Sequence, residues 1–377
     1  MAKLRWNPHI MFDNDNIDSF WSEYFKPNDK VLFVLGKGFD IRMNLTLDRL
    51  LKHSSKIEIT CILIEFNEGK HSSSHEYQHL IDANLVEFKK LTENLNVVNK
   101  QVNIWSKSGK NRRIVGDRNA ADIFKNYSDI CEFKDIIVDI SSLPRGIYFS
   151  LIGKILSIID TKPNELHNLF VSVAENVTLD SYIKETAIED DLSYLHGFGG
   201  EIELESEKDK PLIWFPILGE GKLSHITKGA DKIANDKNRL YEICPILPFP
   251  SKNPRRSDSL LIEYHSLLFD SLDIEAQNIM YVTERDPFQA YIELSTAIGN
   301  YKTSLDIIGG CKIAVSTFSS KLLSIGSLLV AYENQGFVGI MNVNSGGYEI
   351  NEEENIHKSK LDSELFVTWL TGNPYKI

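Results

Sequence analysis

Runs of apolar, often β-branched residues recur along this chain and stop abruptly at clusters of Gly, Ser, Pro, Asn or charged residues, after which apolar positions take up helical spacing. Val31 to Leu35 runs into GKGFD (36–40), Ile59 to Ile64 into EFNEGKHSSS, and Ile136 to Ile140 into SSLPRG. The second half repeats the pattern. Leu212 to Leu218 leads into GEGK, Ile243 to Leu247 into PFPSKNPRR, Met280 to Thr283 into ERDPF, and Ile313 to Val315 into STFSSK. A strand covered on both faces reads as a continuous apolar run, and strand–helix alternation implies right-handed crossovers in a parallel sheet. The loops after such strands form the edge where ligands of these sheets sit.

The periodicity predicts strands over 30–35, 58–66, 101–105, 135–140 and 168–174, with helices near 41–54, 76–96, 118–128 and 145–159. A second series has strands near 211–218, 241–247, 278–283, 312–316 and 336–342, and helices near 222–236, 257–272, 286–302 and 318–332. At 377 residues the chain exceeds what one core usually serves. The expected fold class is α/β, with two tandem Rossmann-like domains and mainly parallel sheets. Residues 1–29 read as an aromatic N-terminal arm, 30–180 as the first domain, 181–210 as a linker or exposed hairpin and 211–345 as the second domain. Residues 346–377 read as a polar stretch followed by a short helix.

Composition narrows the partners. The net charge of −12 argues against tight duplex binding, which needs a basic face. Cys61, Cys131, Cys244 and Cys311 lie far apart without CxxC spacing and read as buried small hydrophobes in a reducing compartment. No apolar stretch reaches membrane-spanning length, so the expectation is a cytoplasmic, bacterial-type protein without a membrane partner.

Three motifs in the first half carry possible chemistry. VLFVLGKGFD (31–40) is a strand, a glycine turn at Gly36 and Gly38, and a helix, and Glu65 at the end of the next strand could accept ribose hydroxyls. This resembles the nucleotide-binding start of Rossmann-like methyltransferases and dehydrogenases, although Ile41 stands where the third glycine would be. DISSLPRG (139–146) places Asp139, two serines and Arg145 at a helix start. HEYQH (75–79) fits H-E-x-x-H, in which His75 and His79 would bind zinc and Glu76 would activate a water. It is similar to zinc metallopeptidases over these five residues, with His71 as an added nitrogen and no recognisable third ligand; a metal site is not the favoured reading.

The second half concentrates cations. Lys252, Arg255 and Arg256 sit in a proline-stiffened loop, joined by Lys222 after GEG, Arg285 in ERDPF, and Ser319, Ser320 and Lys321 at a helix start. Such a set suits phosphate or carboxylate recognition. IGGCKIAVSTFSSK (308–321) is similar to a strand–helix turn of Rossmann-like sensors of cyclic oligonucleotides. The basic stretch IWSKSGKNRR (104–113) reads as a solvated loop, and neither G-x-S-x-G nor a P-loop is present.

The function expected is binding of a small anionic, nucleotide-derived ligand by a sensor or accessory subunit that works with a protein partner or a second copy of itself. An enzyme is the alternative: a nucleotide-using transferase or hydrolase with Asp40, Glu65 or Asp139 as base, or a zinc hydrolase through HEYQH. A purely structural interaction subunit is a third reading.

Overall fold

The computed structural model describes residues 3–54, 56–67, 73–106, 113–234, 239–353, 355–356 and 360–375. In chain order the elements begin β1 (Ile10–Asp13), α1 (Asn14–Tyr24), β2 (Lys30–Gly36), α2 (Leu45–His53), β3 (Glu58–Asn67), α3 (Gln78–Leu91) and β4 (Asn96–Asn103). They continue with α4 (Gly116–Ala121), β5 (Asp135–Asp139), α5 (Arg145–Asp160), β6 (Asn168–Glu175), α6 (Val177–Tyr182) and β7 (Ile183–Gly199). Next come β8 (Leu212–Ile217), α7 (Leu223–Ala234), β9 (Tyr241–Ile243), β10 (Ile246–Pro248), α8 (Arg256–Glu263), β11 (Met280–Val282) and α9 (Pro287–Leu305). The chain closes with β12 (Lys312–Thr317), α10 (Lys321–Glu333), β13 (Val338–Ile350) and β14 (Glu364–Trp369). Two compact units result. The first comprises Pro8–Ala187 with Gly346–Ile377, and the second Met1–Asn7 with Ile188–Ser345.

The sheet of the first unit has the order β1-β14-β6-β5-β2-β3-β4. Its β6-β5-β2-β3-β4 portion is parallel, while β14 runs antiparallel to both β6 and β1. The chain builds outward from β2 to β4, then returns to the other side of β2 with β5, so strand order reverses between β2 and β5. Alternation along β2 sends Val31, Phe33 and Leu35 to one face, where they pack with Ile17 and Trp21 of α1 and Leu47 and Leu50 of α2. Helix α5 is buried nearly all round, which explains its almost unbroken apolar sequence.

The other sheet has the order β11-β10-β8-β12-β13-β7, with β9 also beside β8. Strand β8 pairs in parallel with β9, β10 and β12; β10 pairs so with β11 and β12 with β13. Here the order reverses between β8 and β12. The protein is thus a mixed α/β chain of Rossmann-like type with two mostly parallel sheets.

Several segments differ from expectation. The C-terminal segment read as a short helix is strand β14, because Leu365 to Trp369 is bulky, aromatic and β-branched and is covered on both faces between β6 and β1. Residues 183–199, read as linker or hairpin, form strand β7. The single strand expected over 241–247 is split into β9 and β10 around Cys244 and Pro245, whose ring nitrogen cannot donate to a ladder. The helix expected over 257–272 changes from α8 to a π-helical turn at Ser266–Ser271. Cys61, Cys244 and Cys311 are buried, whereas Cys131 is exposed.

Candidate functional site

In open parallel sheets the ligand crevice lies outside the carboxyl ends of the strands where their order reverses. The first unit brings GKGFD and SSLPRG together at that point, but it packs them shut. A Cβ on Gly36 would lie 2.5 Å from Leu143 Cδ2, and one on Gly38 would lie 3.2 Å from the Ser142 carbonyl oxygen. Ser142 Oγ donates to the Gly36 carbonyl at 2.6 Å, and Asn84 Nδ2 donates to the carbonyls of Gly38 and Asp40, both at 2.9 Å. The glycines are therefore needed for close approach of two loops. Phe39 completes the cover, with ring centroids 5.5 Å from Tyr77 and 5.4 Å from Tyr348.

The carboxylates expected as bases are engaged at the same edge. Arg42 donates from Nε and Nη2 to the two oxygens of Asp40 at 2.9 and 2.7 Å, and from Nη2 to Asp180 at 2.8 Å. Burial works against this guanidinium, yet Asp180 and Asp40 outweigh it and hold its pKa well above the usual arginine value. Glu65 accepts from Gln101 Nε2 at 2.7 Å and lies 3.5 Å from Lys37 Nζ. Asp139 is buried and accepts from the Ser141 amide at 2.8 Å. Arg145 opens α5 with Nη1 3.6 Å from Glu185; burial opposes its charge, and Tyr148, Glu185, Tyr348 and Glu175 raise its pKa.

HEYQH does not lie on one helix. Ser73–Tyr77 form a 3₁₀ turn and α3 begins at Gln78, so the i, i+4 geometry assumed for His75 and His79 is not realised. His79 Nε2 pairs with Glu353. Among the described residues no group of three or more His, Cys, Asp or Glu could hold a metal ion. His71 and most of the basic stretch 104–113 (residues 107–112) lie outside the described residues.

At the second switch point, between β8 and β12, a glycine again meets the facing loop. A Cβ on Gly219 would lie 2.3 Å from the Phe318 carbonyl oxygen and 2.9 Å from Ser319 Cα. Gly221 takes a positive φ of 70°, its amide donates to Glu263 at 2.8 Å, and the Lys222 amide donates to Tyr264 Oη at 2.9 Å. Tyr264 in turn donates to the Gly219 carbonyl. These backbone donors are committed, so this turn offers an anion the side chains around it and not a P-loop-like cradle.

Arg256, grouped by sequence with the exposed cations, is only 9% exposed and organises the edge. Its Nε and Nη2 donate to the two oxygens of Glu220 at 2.6 and 2.7 Å, and its Nη1 donates to Glu284. Glu284 also accepts from the Lys252 amide at 2.8 Å, while its own amide donates to the Pro250 carbonyl at 3.0 Å. One guanidinium between two carboxylates thus ties the loops after β8, β10 and β11 together. Burial opposes the Arg256 charge, but Glu220 and Glu284 raise its pKa; burial likewise opposes the Glu220 charge, but Arg256 lowers that carboxyl.

The remaining second-half candidates divide by exposure. Lys252 and Arg255 are exposed, and Lys222, Arg285 and Lys321 are half-buried. Ser320 caps α10 by accepting from the Leu323 amide at 3.1 Å, Ser319 is buried beside it, and Asp286 caps α9. Phe249, about half exposed, adjoins the basic loop. Sequence reasoning missed Glu220 as a site residue; the available signal was an acid inside a glycine turn that faces a basic loop. It also missed Asn84, Glu185 and Tyr348, whose roles depend on long-range packing.

No family model and no curated protein matches the chain. Among solved structures it is similar to a chain provisionally classed as a universal stress protein from Pseudomonas aeruginosa UCBPP-PA14, at 10% identity and TM-score 0.24, covering 89% of this chain and 97% of that one. A functionally unknown protein from P. aeruginosa PAO1 matches at 10% identity and TM-score 0.24, over 88% and 96% of the two chains. An uncharacterized protein from Mycobacterium Paratuberculosis matches at 8% identity and TM-score 0.21, over 90% and 92%. Among the described residues no helix is long and apolar enough to cross a membrane.

Proposed function

We propose that the protein binds a small anionic, nucleotide-derived ligand at the carboxyl edge of the second sheet, across the switch point between β8 and β12. The observation that supports this is exposure: the first switch point is filled by its own loops and aromatic rings, whereas Glu220, Gly221, Lys252 and Arg255 of the second face solvent. Lys252, Arg255, Lys222, Arg285 and Lys321 supply positive charge, and Ser319 and Ser320 stand at the start of α10. Phe249 offers a stacking face for a base. Arg256 holds the loops in place and does not meet the ligand first. Gly36, Gly38 and Arg145 act in this reading as packing elements of the first unit.

The test is the thermal midpoint of the full chain titrated with ADP, AMP, a cyclic dinucleotide, inorganic pyrophosphate and adenosine. A ligand that binds the native state raises the midpoint in a saturable way. The phosphate-bearing compounds are expected to do so and adenosine is not. Replacing both Lys252 and Arg255 by alanine removes two charge-assisted contacts and is expected to weaken binding by roughly 10- to 100-fold. A flat midpoint across the panel, or an unchanged affinity in the double variant, rejects the reading.

A further inference from the structure

The fork of Arg256 is the best-formed anion receptor at this edge, and the protein's own carboxylate already fills it. Nε and Nη2 present two parallel donors, the geometry that recognises a carboxylate or a phosphate, and Glu220 occupies both. The two carboxylates of the triad are not equivalent. The Glu284 side chain is 9% exposed and fixes both Nη1 and the Lys252 amide, whereas the Glu220 side chain is 54% exposed. Glu220 can therefore turn into solvent while Glu284 keeps the guanidinium in place. The backbone need not follow, because Gly219 is seated against Phe318 and the amide of Gly221 is held by Glu263.

We infer that Glu220 is a built-in anion surrogate: an incoming phosphate or carboxylate displaces it from Nε and Nη2 of Arg256, so that Glu220 sets the affinity threshold of the site. This rests on the anion-binding reading above and adds its regulation. It also gives the buried Arg256 a role in recognition that its resting contacts conceal. The exposed Arg255 and Lys252 receive the anion, and Arg256 takes it up once Glu220 has left.

Calorimetric titration of inorganic pyrophosphate into wild type, Glu220→Gln, Glu220→Asp and the Lys252→Ala/Arg255→Ala double variant tests this. Glu220→Gln removes the competing charge and is expected to bind pyrophosphate about tenfold more tightly than wild type or better. Glu220→Asp keeps the charge but shortens the reach by one methylene, so its affinity should fall between the two; it also serves if the glutamine variant does not fold. Equal or weaker binding by folded Glu220→Gln overturns the inference. If wild type then still loses binding in the double variant, the anion-binding reading stands without it. If neither wild type nor the Glu220 variants bind pyrophosphate, both fall.

Discussion

The two glycine turns read alike, Leu35-Gly36-Lys37-Gly38 and Leu218-Gly219-Glu220-Gly221, and each follows the central strand of its sheet at the point where strand order reverses. Each unit also has a carboxylate–arginine–carboxylate triad at its turn, Asp40–Arg42–Asp180 in the first and Glu220–Arg256–Glu284, which begins inside the turn, in the second. Their surroundings separate them. In the first unit Phe39, Tyr77 and Tyr348 pack at the turn, and its arginine is buried between the nearby Asp40 and the distant Asp180. In the second Gly219 is buried but Glu220, Gly221, Lys252 and Arg255 are exposed, and the arginine braces three strand-end loops. The same local solution to crossing from strand to helix is closed in one unit and left accessible in the other. A glycine turn of this kind is thus a packing requirement first, at Gly36 and at Gly219 alike.

Four measurements sharpen or break that contrast. Arg42→Ala strands two carboxylates, one of them largely buried, and should lower stability by about 3 kcal/mol in urea unfolding while leaving the pyrophosphate affinity of the folded protein unchanged. A loss of binding would mean that the first unit is part of the site. Gly219→Ala drives a Cβ into the Phe318 backbone and should cost about 2–3 kcal/mol, against about 1 kcal/mol for Gly36→Ala, whose nearest clash is with the Leu143 side chain and not with backbone. Equal losses would show that both loops yield alike.

Phe39→Ala removes two aromatic contacts from the closed turn and should cost about 1–2 kcal/mol, again without changing anion binding. The smallest effect concerns acid. The Glu220 carboxyl lies below its ordinary value of 4.5, so its pairing contributes stability that is fully present above that pH and is lost as pH falls through the lowered native value. Wild type should therefore lose stability more steeply than Glu220→Gln as pH falls below the ordinary carboxyl value, read as urea midpoints. Coincident profiles would mean that the Glu220–Arg256 pair does not form in solution.

Apolar periodicity alone determined the α/β class, the strand–helix alternation through the middle of each unit, and the strand-end loops as the edge to search, because burial on both faces of a parallel strand leaves an unbroken apolar run that local sequence must carry. Charge marked Lys252, Arg255 and Lys321 as candidates, since a charged residue is visible in sequence wherever it stands. Periodicity misread 364–369 as helix, since LDSELFVTWL offers helical spacing and only pairing with β6 and β1 makes the strand the better burial. HEYQH likewise satisfied a helical pattern that the 3₁₀ turn at 73–77 interrupts. What tertiary structure alone decided is which polar groups are committed. Arg256 and Glu220 stand 36 positions apart, and Asp40 shares Arg42 with Asp180 from α6. Sequence shows a charge; only the tertiary structure shows which charges already have a partner within the fold, because an opposite charge at contact distance favours the ionised form of both.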